Sequence, residues 1–268
     1  MLDRYNRKIE YLRISVTDRC NLRCNYCMPE KGVVLKEHQD IMSYELILAI
    51  VREATKLGIK KVRLTGGEPL VRKNITFLIK SLKEVNGLSE LTLTTNGVLL
   101  ADMAEDIKNA GLDRINISLD TLNPRKYKQL TGNGDINRVL KGIDKVKELD
   151  FQGTKLNMVL IPGFNIDEVE DMKTFCQEKG FQLQRINHYS LNDINSINKK
   201  YVAERPLSCD LCNRIRLTSD GKLKPCLFSD FEIPVDPNNI RASLEKTISN
   251  KPECGTCCSM KQNWQIGG

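Results

Sequence analysis

Three cysteines lie within one short stretch near the N-terminus of this 268-residue chain. Cys20, Cys24 and Cys27 have the spacing C-x3-C-x2-C and are interleaved with arginine and asparagine, which is not a core pattern. Thiolates hold iron–sulfur clusters, and a four-iron cluster normally takes four of them. A structural zinc ion would also need four ligands, and no fourth lies nearby in the sequence. The triplet therefore predicts a 4Fe-4S cluster with one iron left free for another ligand.

A second metal site is predicted by three cysteines with the spacing C-x2-C-x13-C: Cys209, Cys212 and Cys226. Arg214 and Arg216 alternate in an apparent strand, so both side chains should point to one face. The Asp220-Gly221 pair predicts a turn that brings the third cysteine back towards the first two. A metal flanked by two arginines on one face would suit a phosphorylated ligand.

Three further cysteines lie near the C-terminus: Cys254, Cys257 and Cys258. If Cys254 and Cys257 pair with Cys209 and Cys212, four thiolates would hold a zinc ion. The other interpretation, which the first cysteine triplet favours, is a second iron–sulfur cluster. Cys176 lies in a helical segment and is typical of an ordinary core cysteine.

Small and polar residues follow three predicted strands. Residues 66–68 form a Gly-Gly-Glu run after the second strand, where paired glycines let backbone approach a ligand closely and Glu68 can accept a hydrogen bond from an ammonium group. Thr95 and Asn96 end the third strand, and Ser118 ends the fourth. Such residues also cap helices and form turns, and we favour ligand contact for Thr95 and Ser118 over Asn96.

Basic residues recur on or beside the predicted strand ends: Arg13, Lys61, Arg63, Lys155 and Arg185. A charged side chain is rarely fully buried without a partner. If these side chains converge on one cavity, they match a polyphosphate, which Arg and Lys bind through charge-assisted hydrogen bonds. Together they favour an anionic substrate.

Short β-branched runs alternate with amphipathic segments, which is typical of repeated βα units and a parallel sheet. The predicted strands cover residues 11–16, 61–65, 91–95, 114–119, 155–160 and 181–186. The predicted helices cover residues 43–57, 73–85, 103–110, 136–149 and 167–179. Six such units are too few for a closed eight-stranded barrel. After a polar linker at 187–205 the cysteine density rises, so we divide the chain into residues 1–190 and a small, metal-held part, 191–268.

The composition restricts the function classes. The formal net charge is +7, but the lysines are scattered through helical segments, which indicates solvated faces. A zinc-stabilised nucleic-acid-binding module would fit the paired cysteines, yet no aromatic stacking platform accompanies them. We therefore expect no nucleic-acid partner. Without a membrane-spanning run or a signal peptide, we expect a cytoplasmic protein, in which cysteines stay reduced.

The C-x3-C-x2-C motif resembles that of radical S-adenosylmethionine (SAM) enzymes. In that superfamily the amine and carboxylate of SAM chelate the open iron, and reductive cleavage gives a 5′-deoxyadenosyl radical that abstracts hydrogen. The resemblance implies a partial six-unit (β/α) TIM-type barrel with a small cysteine-rich C-terminal region. Within the superfamily the chain is most similar to the GTP 3′,8-cyclase family, over residues 1–167, 209–228 and the final Ile-Gly-Gly.

The family resemblance implies two 4Fe-4S clusters, SAM, GTP as substrate, and an electron donor such as flavodoxin or ferredoxin, and it allows a homodimer. It carries SAM contacts over onto Tyr26, Gly67, Glu68, Thr95 and Ser118. It carries substrate contacts over onto Arg13, Lys61, Arg63, Lys155, Arg185, Arg214, Arg216, Gly267 and Gly268. Beyond the cluster ligands it implies no catalytic side chain. In that family the radical takes the ribose 3′ hydrogen, the carbon radical attacks C8 of guanine, and the second cluster binds the guanine through its open iron.

Two departures from the family pattern leave an alternative open. The segment 187–206 is short, and the pattern lacks Cys254, Cys257 and Cys258. If one of these three ligates the second cluster, no open iron remains for a base, and the cluster would serve as an electron relay. The alternative is therefore a radical SAM enzyme of the same scaffold that modifies a peptide or another small substrate. We favour the shortened GTP cyclase.

Overall fold

Six strands alternate with helices in the first part of the computed structural model, which describes residues 1–28, 34–132, 134–197 and 200–266. The strands are β1 (Tyr11–Ser15), β2 (Lys61–Thr65), β3 (Glu90–Thr95), β4 (Arg114–Ser118), β5 (Lys155–Leu160) and β6 (Gln182–Asn187). The helices are α1 (Tyr44–Lys56), α2 (Ile75–Lys83), α3 (Leu100–Asn109), α4 (Pro124–Thr131), α5 (Ile136–Glu148) and α6 (Val169–Lys179). Every predicted strand and helix is present within three residues of its predicted bounds.

The C-terminal part adds three strands and two helices. They are β7 (Arg214–Leu217), β8 (Lys222–Lys224), β9 (Ile233–Pro234), α7 (Ile240–Ser249) and α8 (Asn263–Ile266). The sheet order is β6-β5-β4-β3-β2-β1-β7-β8-β9, so β6 and β9 are its two edges. Strands β1 to β7 are parallel to one another, whereas β8 is antiparallel to both β7 and β9. The open sheet, with five βα units followed by β6, confirms the predicted partial barrel.

Three helices, α4, α7 and α8, are not predicted from the sequence, although the start signals of the first two are visible in it. Helix α4 begins at Pro124 behind Asn123, whose side chain accepts a hydrogen bond from the Arg125 amide. Helix α7 begins behind Asn239, whose side chain accepts one from the Ala242 amide. Asparagine before the first turn, and proline within it, are preferred at helix starts. Both helices are short, which makes their hydrophobic periodicity hard to recognise.

The central strands divide their side chains between two faces. On β1, Leu12 and Ile14 are fully buried and belong to the main core together with helix residues such as Ile47 of α1. The alternate residues Tyr11 and Arg13 face a cavity on the other side of the sheet. Because side chains alternate along a strand, one face of the sheet packs against helices while the other is free to bear polar groups.

Helix α5 packs directly on the turn that follows β3. At Gly97 φ is +82°, and a Cβ there would lie 2.9 Å from Val139 Cγ1. A Cβ on Gly142 would lie 2.8 Å from the Gly97 carbonyl oxygen. Both positions therefore require glycine, since any side chain would push the helix away. The contact fixes the turn that carries Thr95 and Asn96.

The C-terminal part has a small apolar cluster of its own, formed by Leu191, Phe228, Cys258 and Ile266. Strand β7 nevertheless belongs to the same sheet as β1. The division of the chain at residues 190 and 191 stays a prediction. Among the described helices, none combines the length and the apolar character needed to cross a membrane.

Candidate active site

A cavity of about 430 Å³ lies on the polar face of the sheet. Its walls come from the cysteine loop after β1, from strands β1 to β7, and from residues after β6 and in α8. Most of the predicted site residues line it: Cys20, Cys24, Cys27, Tyr26, Gly67, Glu68, Thr95, Ser118, Arg13, Lys61, Arg63, Lys155, Arg214 and Arg216. Cys209, Cys212, Cys226 and Arg185 are not among its lining residues, and Gly267 and Gly268 lie outside the described residues.

The cysteine loop is held by backbone hydrogen bonds to helix α4. The amides of Arg23 and Asn25 donate to the carbonyls of Thr131 and Leu130, each at 3.0 Å. Within the loop, the Cys27 amide donates to the Cys24 carbonyl at 3.0 Å, which closes a turn. The unpredicted helix α4 is thus the support on which the three thiols are arranged.

The three thiols fit an iron–sulfur cluster. Burial raises the pKa of Cys24 well above its ordinary value and that of Cys27 to about 12, and repulsion among the three thiolates adds to both shifts. Burial likewise raises the pKa of Cys20. Three thiolates facing one cavity therefore need positive charge beside them, which iron supplies. The backbone of Trp264 in α8 opposes the rise in the pKa of Cys27.

The Gly-Gly pair after β2 lies against the start of the cysteine loop. A Cβ on Gly66 would lie 2.5 Å from the Thr17 carbonyl oxygen, and a Cβ on Gly67 would lie 2.4 Å from that of Arg19. The Gly67 amide donates to Thr17 and the Glu68 amide to Arg19, both at 2.8 Å. The glycines predicted to admit a ligand thus admit the backbone of the chain itself, and they fix the cysteine loop relative to Glu68.

Glu68 is a buried carboxylate held in one orientation by three donors. One oxygen accepts from Thr95 Oγ1 at 2.7 Å and from the Leu70 amide at 3.1 Å, while the other accepts from the Asn96 amide at 2.7 Å. Glu68 is 1% exposed, and burial raises its pKa to about 7, although the three donors oppose the shift. It is a fixed acceptor for a cationic or proton-donating group in the cavity.

Two neighbouring contacts complete this end of the cavity. Tyr26 donates from its hydroxyl to Asp120 Oδ2 at 2.8 Å, and burial raises the pKa of Asp120 to about 6. Asn96 donates to Asn21 in the cysteine loop at 2.8 Å, and its Nδ2 lies 3.8 Å from Cys20 Sγ. Asn96, which sequence reasoning ranked below Thr95, is therefore the strand-end residue that contacts the loop.

Basic side chains from β1, β2 and β7 lie side by side at the other end of the cavity. The parallel register aligns them in two rows of three, Lys61–Tyr11–Arg214 and Arg63–Arg13–Arg216. The predicted placement of Arg214 and Arg216 on one face is confirmed. The three cations nearest Tyr11 (Lys61, Arg63 and Arg214) lie 5.6–5.7 Å from the centre of its ring. The two rows together contain five cations. We call these five, together with Lys155 and Arg205, the cationic wall: Lys61, Arg63, Arg13, Arg214, Arg216, Lys155 and Arg205.

The cationic wall lacks compensating negative charge. Within the part of the chain that the structure describes, Lys61 pairs with Glu90 at 2.5 Å, and the other six form no ion pair. Buried nitrogens of Arg13 (Nε), Arg214 (Nε) and Arg205 (Nη1) have no hydrogen-bond partner there. Burial and the neighbouring Arg216 lower the pKa of Arg13 to about 9. An anionic ligand would satisfy these nitrogens and relieve the repulsion.

The pKa of Tyr11, which lies between these cations, reflects the same excess of positive charge. Burial raises the pKa of Tyr11, but the guanidinium groups around it outweigh this effect, so its pKa lies below the ordinary value. Arg63 and Arg13 contribute most to that lowering. The positive potential at this end of the cavity is thus large enough to overcome the cost of burying a phenolate.

Arg185 and Arg205 occupy different surroundings. Arg185 Nη2 pairs with Glu204 Oε1 at 2.5 Å, and neither residue lines the cavity. Arg205, which was not predicted, lines it because the chain returns alongside β6, where the Asn187 amide donates to the Arg205 carbonyl at 2.9 Å. Only the pairing of the linker with β6 reveals this position. The short segment after β6 therefore still supplies one side of the cavity.

The second cysteine group lies behind β7. Cys209 and Cys212 precede this strand, and Cys226 follows the β7–β8 hairpin, as the predicted turn at Gly221 requires. Among the described residues, no three His, Cys, Asp or Glu side chains are gathered closely enough to hold a single metal ion. A 4Fe-4S cluster sets a different requirement from a single ion, because its cysteine ligands bind to separate irons.

Comparison with known proteins decides the family. The model of the radical SAM superfamily matches residues 14–176. A GTP 3′,8-cyclase of Clostridium botulinum (strain Langeland) is 39% identical, with 100% of both chains covered. One of Peptoclostridium acidaminophilum is 42% identical over 94% of this chain and 92% of the relative. The chain belongs to the GTP 3′,8-cyclase family of radical SAM enzymes.

Solved structures agree with the fold. Native anSMEcpe with bound AdoMet has a TM-score of 0.67 at 18% identity, with 90% of this chain and 81% of that chain covered. SuiB of Streptococcus suis bound to S-adenosylmethionine has a TM-score of 0.64 at 19% identity, with 82% and 60% covered. The predicted cofactors, SAM and iron–sulfur clusters, are those of this family.

The chain is a shortened member of its family. The alignment with the Clostridium botulinum relative extends over 319 positions, whereas this chain has 268 residues, so that relative has positions without a counterpart here. The expectation of a shortened form is confirmed.

We expect Gly67→Ala to displace the cysteine loop, because the new Cβ would meet the Arg19 carbonyl. Overpacking of this kind costs about 1–3 kcal/mol. The measurement is made in a chain that lacks the second cysteine group. After anaerobic reconstitution, the Gly67→Ala variant of this chain should therefore bind less iron than the same chain with Gly67. Gly163→Ala is the control, since φ is +72° there and nothing lies within 4 Å, so only backbone strain is added. Equal iron contents in the two variants would contradict the assigned role of Gly67.

The buried carboxyl of Glu68 should make stability depend on pH. Its pKa rises from 4.5 to about 7 on folding, because burial favours the neutral carboxyl. The stability that the neutral carboxyl contributes to the folded state is therefore fully present below pH 4.5 and is lost as the pH rises through 7. At pH 8 this loss is on the order of 3 kcal/mol. We expect Glu68→Gln to abolish it, measured as the difference in unfolding free energy between variant and wild type from pH 5 to 8. Glu204→Gln should leave the profile unchanged, and a pH-independent difference for Glu68→Gln would refute the assignment.

Proposed function

We propose that this protein is a radical SAM lyase that converts GTP to (8S)-3′,8-cyclo-7,8-dihydroguanosine 5′-triphosphate, the first step of molybdenum cofactor biosynthesis. The observation that carries the proposal is that one cavity joins the cysteine loop to the cationic wall. Its lining contains eight Lys or Arg side chains, with Glu68 as the single carboxylate among the described lining residues. A ligand with both a sugar and a polyphosphate fits this division.

The cationic wall would hold the triphosphate. Guanidinium groups present planar pairs of donors that match phosphate oxygens, and five of the wall's seven cations are arginines. The buried, unpartnered nitrogens of Arg13, Arg205 and Arg214 are the groups that gain most from such a ligand. Their fixed positions on strands β1 and β7 and beside β6 place the phosphates without reorganisation.

The opposite end of the cavity would hold SAM. Cys20, Cys24 and Cys27 would hold the cluster which, with SAM bound, supplies the radical that starts the reaction. Glu68, oriented by Thr95 and the Asn96 amide, would accept a hydrogen bond from the SAM amino group. We infer that Tyr26, Gly67 and Ser118, which line the same end, contact the rest of SAM.

The remaining partner predictions belong to this proposal. A cluster needs a one-electron donor, and flavodoxin or ferredoxin would serve. The partly exposed cysteines of the first loop are within reach of such a donor. Ten free cysteines suit a reducing compartment, which supports the cytoplasm as the place of action. The homodimer stays a prediction.

The direct test is anaerobic incubation of the reconstituted full chain with SAM, dithionite and GTP, followed by mass spectrometry. We expect 5′-deoxyadenosine together with a product of the same mass as GTP but different retention. A reaction without GTP is the control for abortive SAM cleavage. If 5′-deoxyadenosine forms and GTP is recovered unchanged, GTP is not the substrate, and a peptide or other small substrate takes its place.

A matched pair of arginine variants tests the position of the triphosphate. A charge-assisted hydrogen bond contributes about 1.5–3 kcal/mol, so Arg205→Ala should weaken GTP binding about 10- to 100-fold. Arg185→Ala removes an arginine on the neighbouring strand that already pairs with Glu204, and it should leave GTP affinity unchanged. Equilibrium dialysis with the reconstituted enzyme measures both. The reverse ranking would mean that the cavity does not bind the phosphates.

A further inference from the structure

A fourth cysteine, Cys254 of the tail, lies beside the C-x2-C-x13-C group behind β7. Cys209 Sγ lies 2.7 Å from Cys254 Sγ. A Cβ on Gly255 would lie 2.6 Å from Cys226 Sγ, so the backbone beside Cys254 lies directly against the third motif cysteine. Cys254 thus lies between two cysteines that are seventeen positions apart in the sequence.

An arginine from the N-terminus joins the two segments that carry these thiols. Arg7 donates to the Cys209 carbonyl at 2.8 Å and to the Glu253 carbonyl at 2.7 Å. Its Nε pairs with Asp3 at 2.7 Å, and the two side chains are 8% and 0% exposed. A nearly buried ion pair of this kind is costly unless its hydrogen bonds are satisfied, as they are here. The chain therefore holds residue 254 beside residue 209 through a built contact.

A buried lysine joins the same tail segment to the other two cysteines. Lys251 is 1% exposed, and its Nζ donates to the carbonyls of Arg214 at 2.8 Å and Pro225 at 2.7 Å. The same nitrogen lies 3.3 Å from Cys212 Sγ. A positive charge beside thiolates stabilises them. Arg7 and Lys251 together bring all four cysteine-bearing segments to one place.

The other two cysteines of the tail are directed elsewhere. Cys258 is fully buried in the small cluster with Leu191 and Phe228, and its Sγ lies 3.7 Å from Lys224 Nζ. Cys257 is exposed, and no thiol contact of it with the cysteine group is found among the described residues. Of the three tail cysteines, Cys254 is therefore the one that meets the motif.

We propose that Cys254 is the fourth cysteine ligand of the C-terminal 4Fe-4S cluster. Each iron of that cluster then carries a protein thiolate, and none is open to a guanine nitrogen. The base would be held by protein groups alone, unlike in the arrangement that the family resemblance implies. The inference rests on the second cluster of the proposed enzyme, but it stands whether or not GTP is the substrate.

The test uses full-length protein in which Cys20, Cys24 and Cys27 are all replaced by alanine, so that only the second cluster assembles. Iron and zinc contents are measured, and EPR spectra of the reduced cluster are recorded with and without cyanide, a small ligand for open iron sites. We expect about four irons per chain and a spectrum that cyanide leaves unchanged. A cyanide-induced change in this parent protein, or zinc in place of iron, would overturn the proposal.

Variants at residues 254 and 257 in the same background identify the ligand. Cys254→Ala should make the spectrum respond to cyanide or convert the oxidised cluster to a three-iron form. Cys254→Ser keeps an oxygen ligand and should retain four irons with a shifted spectrum, which covers the case in which the alanine variant binds no iron. Cys257→Ala is the matched control and should resemble the parent. Parent-like spectra for both Cys254 variants would refute the assignment.

Because cyanide reports on open iron without GTP, the outcome is separate from that of the GTP conversion experiment. A cyanide-insensitive cluster in a protein that leaves GTP unchanged would support the fourth ligand and reject the cyclase. A cyanide-sensitive cluster in a protein that cyclises GTP would support the cyclase and reject the fourth ligand.

Discussion

The alternation of side chains along parallel strands is the constraint on which this structure depends. Each strand residue must face either the helices or the cavity, and its neighbours in register must do the same. On β1, Leu12 and Ile14 face the core, which leaves Tyr11 and Arg13 on the opposite face. A shift of β7 by one residue would place Arg214 and Arg216 among the core leucines. Core packing therefore also fixes the arrangement of the cationic wall.

This arrangement stores electrostatic repulsion that a ligand can relieve. Burial and mutual repulsion lower the pKa of Arg13 to about 9, although arginine normally keeps its proton far above neutrality. The apolar face of the same strands is fully buried, so the stability of the core offsets the cost of the charges. A site formed in this way is complete before the ligand arrives, and the binding energy is not spent on ordering it.

Strand β7 couples the two cysteine groups mechanically. It pairs with β1, whose following loop carries the first three cysteines, and it begins two residues after Cys212 of the second group. Arg214 and Arg216 on β7 face the cavity, while Cys212 and Lys251 lie at its start. A displacement of the second group would therefore move Arg214 and Arg216, two of the seven residues of the cationic wall. The C-terminal part is in this sense a wall of the active site.

The sequence was sufficient for the elements whose signals are local. Strands β1 to β6 and five of the helices between them follow from the hydrophobic pattern, and the placement of Arg214 and Arg216 follows from strand periodicity. Features that depend on tertiary contacts were beyond it. Arg205 lines the cavity only because the linker returns beside β6, and Arg185 is withdrawn by Glu204, a residue nineteen positions away. The glycines at 66 and 67 have a typical ligand-loop signature, yet what lies against them is the backbone of the cysteine loop.

The cavity also sorts its two ligands by charge. Glu68 lies at one end as a fixed acceptor, and the cationic wall occupies the other. Under the proposed function a triphosphate placed beside Glu68 would meet a buried carboxylate, and a sulfonium placed at the wall would meet Arg13 and its neighbours. Both wrong placements bring like charges together at low dielectric, where repulsion is strong. The same separation that holds each ligand in its place therefore also excludes the other, and only the ribose and the adenosyl group are left to meet between them.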